Sequence, residues 1–108
     1  MAVFALVVRF DLRDEDAVAA FDALVARTAP GIRELEPGTL VYATHGVEGE
    51  PLARVFYEVY ADRAAFEAHE EQLHVKAFLA ERGQYLTSTR VEFLTDGPAK
   101  GLSDGARG

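Results

Sequence analysis

The sequence contains no cysteine, no tryptophan and no asparagine, and it has few cations. Without cysteine, a disulfide framework, a thiolate metal site and a cysteine nucleophile are all excluded. The chain has 11 Lys and Arg against 18 Asp and Glu, which gives a formal net charge of −7. An acidic chain repels phosphate backbones and anionic lipid. We therefore expect no nucleic-acid partner.

Long hydrophobic runs are also missing. The longest apolar run, residues 2–8, is too short to span a bilayer, and no charged segment precedes it. We therefore expect no membrane association and a cytoplasmic location. The chain has 108 residues, 49% of them hydrophobic, which is enough for one globular domain. We assign residues 1–95 to that domain and residues 96–108, with four glycines, to a tail that is flexible unless a partner holds it.

Two hydrophobic periods alternate along the chain. A period of two, rich in valine and aromatic residues, predicts strands at 3–12, 39–45, 52–60 and 87–95. A period near 3.6 predicts helices from Asp14 to about residue 35 and over about 63–85. The order β-α-β-β-α-β predicts a ferredoxin-like α+β fold with a four-stranded antiparallel sheet.

Local breakers refine this prediction. Pro30 should kink the first helix or split it near Thr28, because proline removes one backbone hydrogen bond. Residues 46–51 contain two glycines and a proline, which predicts a hairpin with a medium loop. The second helix is expected to be either continuous or broken near Gln72.

Both faces of the first strand are apolar. Two helices can cover only one face of a four-stranded sheet, so the other face needs a second cover. The pattern therefore predicts a homodimer in which two sheets meet face to face.

Three short motifs resemble the antibiotic biosynthesis monooxygenase family. They are EPG at residues 36–38, YEVYAD at residues 57–62, and EAH at 67–69 followed by HVKAF at 74–78. The resemblance covers about residues 3–95 and depends on the order and spacing of all three motifs. It implies a dimeric α+β barrel and a small hydrophobic aromatic substrate, oxidised by dioxygen in several members without metal or flavin.

Other members of this family degrade haem or isomerise a phosphorylated sugar. The haem-degrading branch uses an Asn, a Trp and a His at positions that align here with Val8, His69 and Leu79, so that chemistry is not carried over. The pair of histidines five apart, matched by His69 and His74, occurs in both quinol-oxidising and isomerising members. The histidine pair therefore does not distinguish the quinol-oxidising branch from the isomerising branch.

The candidate site residues lie around the junction of the third strand and the second helix. His69 is either a base in a pocket or a half-buried core histidine, and His74 either acts in the site or bonds to backbone where the helix breaks. His45 is expected at the surface. The candidate catalytic residues are His69, His74, Tyr60 and Glu58.

The candidate substrate-binding residues are apolar or aromatic. Because strand faces alternate, Tyr57 should point away from Glu58 and Tyr60, so these residues cannot all line one pocket. Tyrosines are more often core residues, although a buried phenol can also orient a substrate oxygen. The residues proposed for substrate contact are Phe4, Leu6, Val8, Tyr42, Tyr57, Phe66 and Phe78.

Glu58 lies within an aromatic strand. It is either a general base with a raised pKa or one half of an ion pair with Arg54 or Arg90, and we favour the ion pair. Arg9 on the first strand has the same ambiguity. No metal site is expected, because His69 and His74 are five residues apart, whereas a helical zinc pair is four apart.

The family resemblance implies a cofactor-independent monooxygenase that acts on a phenol, a quinol or a polyketide-like aromatic, and we rank this function first. An electron-rich phenolate can itself reduce dioxygen, so the protein has only to deprotonate the substrate, hold it and exclude water. The alternatives are a proton-shuttling isomerase and a non-catalytic binder of small aromatics. A phosphorylated substrate would want a cluster of cations, which the sequence does not show.

Overall fold

The computed structural model describes residues 3–101 and has one sheet with all its helices on one face. The four strands are antiparallel neighbours in the order β2-β3-β1-β4. This confirms the predicted ferredoxin-like α+β fold. The elements are β1 Phe4–Leu12, α1 Glu15–Leu35, β2 Thr39–Val47, β3 Glu50–Tyr60, α2 Arg63–Glu71, α3 Leu73–Arg82, a short 3-10 turn Gly83–Tyr85, and β4 Leu86–Leu94.

The hydrophobic core lies between the sheet and the helices. Alternate residues of β1 point toward the helices, and Leu6, Val8 and Phe10 are all buried there. Phe10 contacts Phe21 of α1 and Phe56 of β3, with ring centroids 5.1 and 4.8 Å apart. These aromatic contacts fix the helix layer on one sheet face.

The first helix is continuous through its proline. It is capped by the side chain of Asp14, which accepts a hydrogen bond from the Ala17 amide at 2.8 Å. Of the two outcomes predicted for Pro30, a kink or a split, the split near Thr28 is wrong, because α1 runs unbroken to Leu35. The buried side chains of Thr28 and Ile32, on either side of Pro30, hold the segment against the core, so packing outweighs the one hydrogen bond that proline removes.

The hairpin between β2 and β3 is tighter than the predicted medium loop. Val47 pairs with Glu50, so only Glu48 and Gly49 form the turn. Gly49 has a φ of +79°, a backbone conformation that glycine adopts without steric cost. The register shifts between Thr39 and Val41, which is a β-bulge beside the end of α1.

The predicted break in the second helix is confirmed at Gln72. This residue is extended, with φ −68° and ψ 141°, and separates α2 from α3. Its amide donates to the carbonyl of His69 and closes α2, while its carbonyl accepts from the Lys76 amide and opens α3. The range 63–85 predicted for the second helix therefore contains two helices and a 3-10 turn.

The second face of the sheet carries no helix among residues 3–101. It presents Val7 and Tyr57, which are partly exposed, next to the buried Ala5 and Val59. This is the face for which a partner is predicted. After β4, residues 95–101 form no strand or helix, and the rest of the predicted tail, 102–108, lies outside the described residues.

Candidate active site

A cavity of about 140 Å³ opens between the sheet and the helices. Its wall is mostly aliphatic and aromatic, and it takes residues from all four strands and all three helices. The lining residues are Leu6, Val8, Phe10, Thr28, Tyr42, Phe56, Glu58, Phe66, His69, Glu70, Val75, Phe78, Leu79, Arg82, Val91 and Phe93. An apolar cavity of about 150 Å³ holds benzene, so this space suits one aromatic ring.

Two histidines share one buried carboxylate at the edge of this cavity. The Nδ1 atom of His69 lies 2.6 Å from Oε1 of Glu36, and the Nε2 atom of His74 lies 2.5 Å from Oε2. The hydroxyl of Thr39 also donates to Oε1, at 2.7 Å. The Glu36 side chain is only 3% exposed, so this Glu36 cluster, formed by Glu36, Thr39, His69 and His74, satisfies a carboxylate that water barely reaches.

The break at Gln72 makes the cluster possible. On one ideal helix, residues five apart differ by about 140° and could not meet one acceptor. Here His69 lies in the last turn of α2 and His74 in the first turn of α3, while Glu36 follows the last residue of α1. The two rings reach one acceptor although they are five residues apart, because they lie on two helices separated by Gln72.

Two glycines allow the elements around the cluster to approach closely. A Cβ on Gly31 of α1 would lie 2.6 to 2.9 Å from the ring of His74. A Cβ on Gly38 would lie 2.6 Å from the Cβ of Ala65 in α2. Both distances are shorter than van der Waals contact allows, so a side chain at either position would displace His74 or α2.

The hydrogen-bond pattern determines which ring nitrogen of His69 can act as a base. An ionised carboxylate only accepts hydrogen bonds, so Nδ1 of His69 carries the hydrogen and donates to Glu36. In the neutral ring, Nε2 is then the acceptor and points away from Glu36. No protein partner of Nε2 is found within residues 3–101. His69 lines the cavity, which gives Nε2 a place to meet a ligand.

His74 has the opposite tautomer and a different position. Its Nε2 donates to Glu36, and its ring packs against Gly31, outside the cavity. It therefore supports the carboxylate that orients His69. Within residues 3–101 its ring forms no hydrogen bond to backbone, so the interpretation that assigned it such a bond is wrong.

Glu58 forms no ion pair with Arg54 or Arg90, so that prediction is wrong. Arg54 binds Asp22 and Arg90 binds Glu92, while the buried Glu58 accepts a hydrogen bond from the Tyr60 hydroxyl at 2.5 Å. Burial raises the pKa of Glu58, and the Tyr60 hydrogen bond opposes that rise. Glu58 lines the cavity, so its carboxyl group is a second group, beside His69, that could exchange a proton with a ligand.

The tyrosines near the site remain protonated. Burial raises the pKa of both Tyr42 and Tyr60 far above the ordinary value, and the nearby Glu58 raises it further. Tyr42 lines the cavity, where its hydroxyl can donate a hydrogen bond. Tyr60 is completely buried behind Glu58 and does not line the cavity, so it cannot touch a ligand there.

Most of the residues predicted to contact substrate face the cavity, but two do not. Tyr57 lies on the opposite face of the sheet, because it pairs with Val7 and alternates with Glu58. Phe4 packs against Phe66, with ring centroids 4.9 Å apart, and does not line the cavity. The predicted residues that line the cavity are Leu6, Val8, Tyr42, Glu58, Phe66, His69 and Phe78.

Sequence reasoning missed two functional candidates. Glu36 appears in the sequence analysis only as part of the EPG motif, although a glutamate before Pro-Gly and ahead of a histidine pair is a signal for a site residue. Arg82 lies four residues after Phe78, on the same face of α3, and lines the cavity. Arg9, which the sequence left as either a site residue or an ion-pair partner, forms partly exposed ion pairs with Asp11 and Glu50. His45 is exposed, as predicted.

Within residues 3–101, no group of three or more His, Asp or Glu side chains is arranged to hold a metal ion. No helix in the same residues is both long and apolar enough to cross a membrane.

The fold and the cavity define an α+β protein with a largely apolar space between its sheet and its helices. The family model for antibiotic biosynthesis monooxygenase matches residues 3–81. The chain therefore belongs to the antibiotic biosynthesis monooxygenase family. No curated protein gives a significant match.

Solved structures show the same fold. A Caulobacter crescentus protein, named as a candidate antibiotic biosynthesis monooxygenase, has a TM-score of 0.82 and 22% identity, with 90% of this chain and 92% of that chain covered. Rv0793 from Mycobacterium tuberculosis has a TM-score of 0.80 and 27% identity, with 94% and 99% covered. These neighbours confirm the predicted fold, and the match to the family model confirms the predicted family.

Proposed function

We propose that this chain is a monooxygenase that uses dioxygen, without a bound cofactor, to oxidise a small phenol or quinol. The observation that supports this most is the pair formed by His69 and Glu36 at the wall of a largely apolar cavity. The family membership supports the same reaction class.

The first step is deprotonation of the substrate hydroxyl. Nε2 of His69 accepts the proton, and the buried carboxylate of Glu36 stabilises the imidazolium through Nδ1. A group poised in this way is typically worth a factor of about 100 to 10,000 in rate.

Oxygen chemistry follows on the phenolate. The phenolate gives one electron to dioxygen, and the resulting phenoxyl radical and superoxide combine to form a bond between a ring carbon and oxygen. Loss of the hydrogen on that carbon, with cleavage of the O–O bond, gives a quinone and water. For phenol itself, one substrate and one dioxygen give one quinone and one water, so atoms and electrons balance. Apolar walls protect the radical pair from water.

The size of the cavity limits the substrate. About 140 Å³ accommodates one ring. The exposed side chains of Val91 and Phe93 border the cavity on the β4 side, where further rings of a polyketide-like substrate would extend.

The active unit that we propose is a homodimer of the 1–95 domain. The helix-free face of the sheet carries Val7, Tyr57 and the 43% exposed Leu94, and a second copy would cover it by a two-fold axis. Family members are generally oligomeric proteins that bind small molecules.

The test is oxygen consumption by purified protein with a panel of hydroquinones and anthrones. Under ¹⁸O₂, a monooxygenase places one labelled atom in the product and one in water. Proton exchange or isomerisation without oxygen uptake would instead support the isomerase, since His69 and Glu36 could also shuttle a proton. Saturable binding with neither reaction would support the binding protein.

Two histidine variants test whether the reaction takes place at this site and whether His69 is its base. In His69→Asn, the amide nitrogen occupies the position of Nδ1 and keeps the bond to Glu36, but Nε2 is gone. We expect its kcat to fall about 100- to 10,000-fold. His45→Gln, at an exposed position, is the matched control and should retain wild-type activity. Full activity in a folded His69→Asn would refute His69 as the base.

A further inference from the structure

Arg82 differs from the other arginines in its surroundings. It is the last residue of α3, it is half-buried, and it lines the cavity that His69 also lines. Its guanidinium carbon lies 5.5 Å from the ring centroid of Phe10 and 5.9 Å from that of Phe78. Contact with two aromatic rings holds the guanidinium in place and leaves its N–H groups for hydrogen bonding.

The guanidinium has no anionic partner in the described part of the chain. Five other arginines form ion pairs there: Arg9, Arg27, Arg54, Arg63 and Arg90. Within residues 3–101, neither a salt bridge nor a side-chain hydrogen bond is found for Arg13, Arg33 or Arg82, and of these three only Arg82 is not exposed. A partly buried charge without a partner is costly, which is typical of a group that meets its partner in a ligand.

The carboxylates around the cavity do not neutralise Arg82 by direct contact. Glu58 is bonded to Tyr60, and burial raises its pKa, which favours the neutral acid. Glu70 is exposed to solvent. Burial lowers the pKa of Arg82, and the neighbouring Tyr42, Glu58 and Glu70 oppose that shift. Arginine nevertheless stays protonated in proteins, so Arg82 is the one cation among the described lining residues whose charge does not depend on pH.

We propose that Arg82 binds an anionic group of the substrate, and that the substrate is a hydroxylated aromatic carboxylate. A planar guanidinium matches a carboxylate through two parallel hydrogen bonds. A phosphate monoester would want several cations, and the cavity offers one. The carboxylate on Arg82 and the hydroxyl toward His69 would orient a single ring between the apolar walls. This assignment deepens the proposed function and depends on it for the role of the hydroxyl.

The test compares an acid with its neutral ester. Binding of 2,5-dihydroxybenzoate and of methyl 2,5-dihydroxybenzoate is measured by titration calorimetry without oxygen, so that no turnover occurs. We expect wild-type protein to bind the acid about 10- to 100-fold more tightly than the ester, as a charged hydrogen bond would provide. Arg82→Gln should bring the ratio close to one, and Arg82→Lys should keep part of it.

Arg33→Gln is the matched control, since Arg33 is exposed on α1 and should leave the ratio unchanged. The proposal is overturned if wild type does not prefer the acid, or if folded Arg82→Gln keeps the full preference. Should Arg82→Gln fail to fold, the wild-type ratio and Arg82→Lys decide. If the protein binds the acid selectively but consumes no oxygen with any substrate of the panel, the proposed monooxygenase activity is refuted, whereas the proposed anion site at Arg82 is supported.

Discussion

Glu36 is the residue whose loss should cost the most stability at this site. Its carboxylate is 3% exposed and accepts hydrogen bonds from His69, His74 and Thr39. Replacement by alanine would leave three donors without their acceptor. Each buried donor left unsatisfied costs about 1–3 kcal/mol.

The exposure of each donor determines how much stability Glu36→Ala should lose. The His69 side chain is 8% exposed and that of His74 is 16%, so water can reach His74 more easily. Thr39 is half-buried and can also find water. We assign most of the cost to His69 and expect Glu36→Ala to lose about 3–5 kcal/mol, the range for breaking a buried pair. That is a large part of a typical stability of about 5–15 kcal/mol.

Glu36→Gln keeps the size of the side chain and removes its negative charge, so it tests the contribution of the charge alone. The Oε1 position receives two donors and Oε2 one, so the amide oxygen should take the Oε1 position and face His69 and Thr39. The amide NH₂ then faces His74, whose Nε2 must lose its hydrogen and accept. We expect a smaller loss of stability than in Glu36→Ala, with weaker activity because the imidazolium of His69 loses its counter-charge.

The assay is urea unfolding at one fixed protein concentration, since dimerisation would make stability depend on concentration. Glu67→Ala is the control. Glu67 is exposed and pairs with Arg63 on the surface of α2, where such pairs are worth at most about 0.5 kcal/mol. A loss below about 1 kcal/mol for Glu36→Ala would refute the view that the carboxylate holds the two histidines.

Four further predictions concern the site and the assembly. His74→Gln keeps a donor near the Nε2 position and should retain stability and most activity, whereas His74→Ala should lower the melting temperature in calorimetry. Because the pKa of Glu58 is raised above its ordinary value of 4.5, the wild type should lose stability as pH rises through the folded pKa. Glu58→Gln should therefore gain stability over the wild type at pH 8 and lose that gain below about pH 4.5, in urea unfolding across pH. Light scattering at micromolar concentration should give the mass of a dimer, and a monomer would contradict the role of the helix-free face. Elemental analysis of untagged protein should find no stoichiometric zinc, copper or iron, and loss of both bound metal and activity on chelation would contradict this.

The sequence alone determined the fold because its signals are local. Alternation along β1 and β3, the side-chain cap of Asp14 on α1 and the change of period at Asp62 each lie within a few residues of the structure that they specify. The break at Gln72 was visible in the same way. His69 was identified because it lies on the inward stripe of its own helix.

Only the tertiary structure decided what His69 can do. Glu36 is 33 residues from His69 and 38 from His74, and no local pattern states that one carboxylate will meet both rings. Tertiary packing also kept α1 intact through Pro30, since burial of Thr28 and Ile32 outweighs one missing hydrogen bond. In the same way, Glu58 was expected to pair with an arginine, but the folded chain gives Arg54 to Asp22 and leaves Glu58 with Tyr60. Hydrogen-bond partners of buried charges depend on which distant elements meet, and that is set by the packing of the whole core.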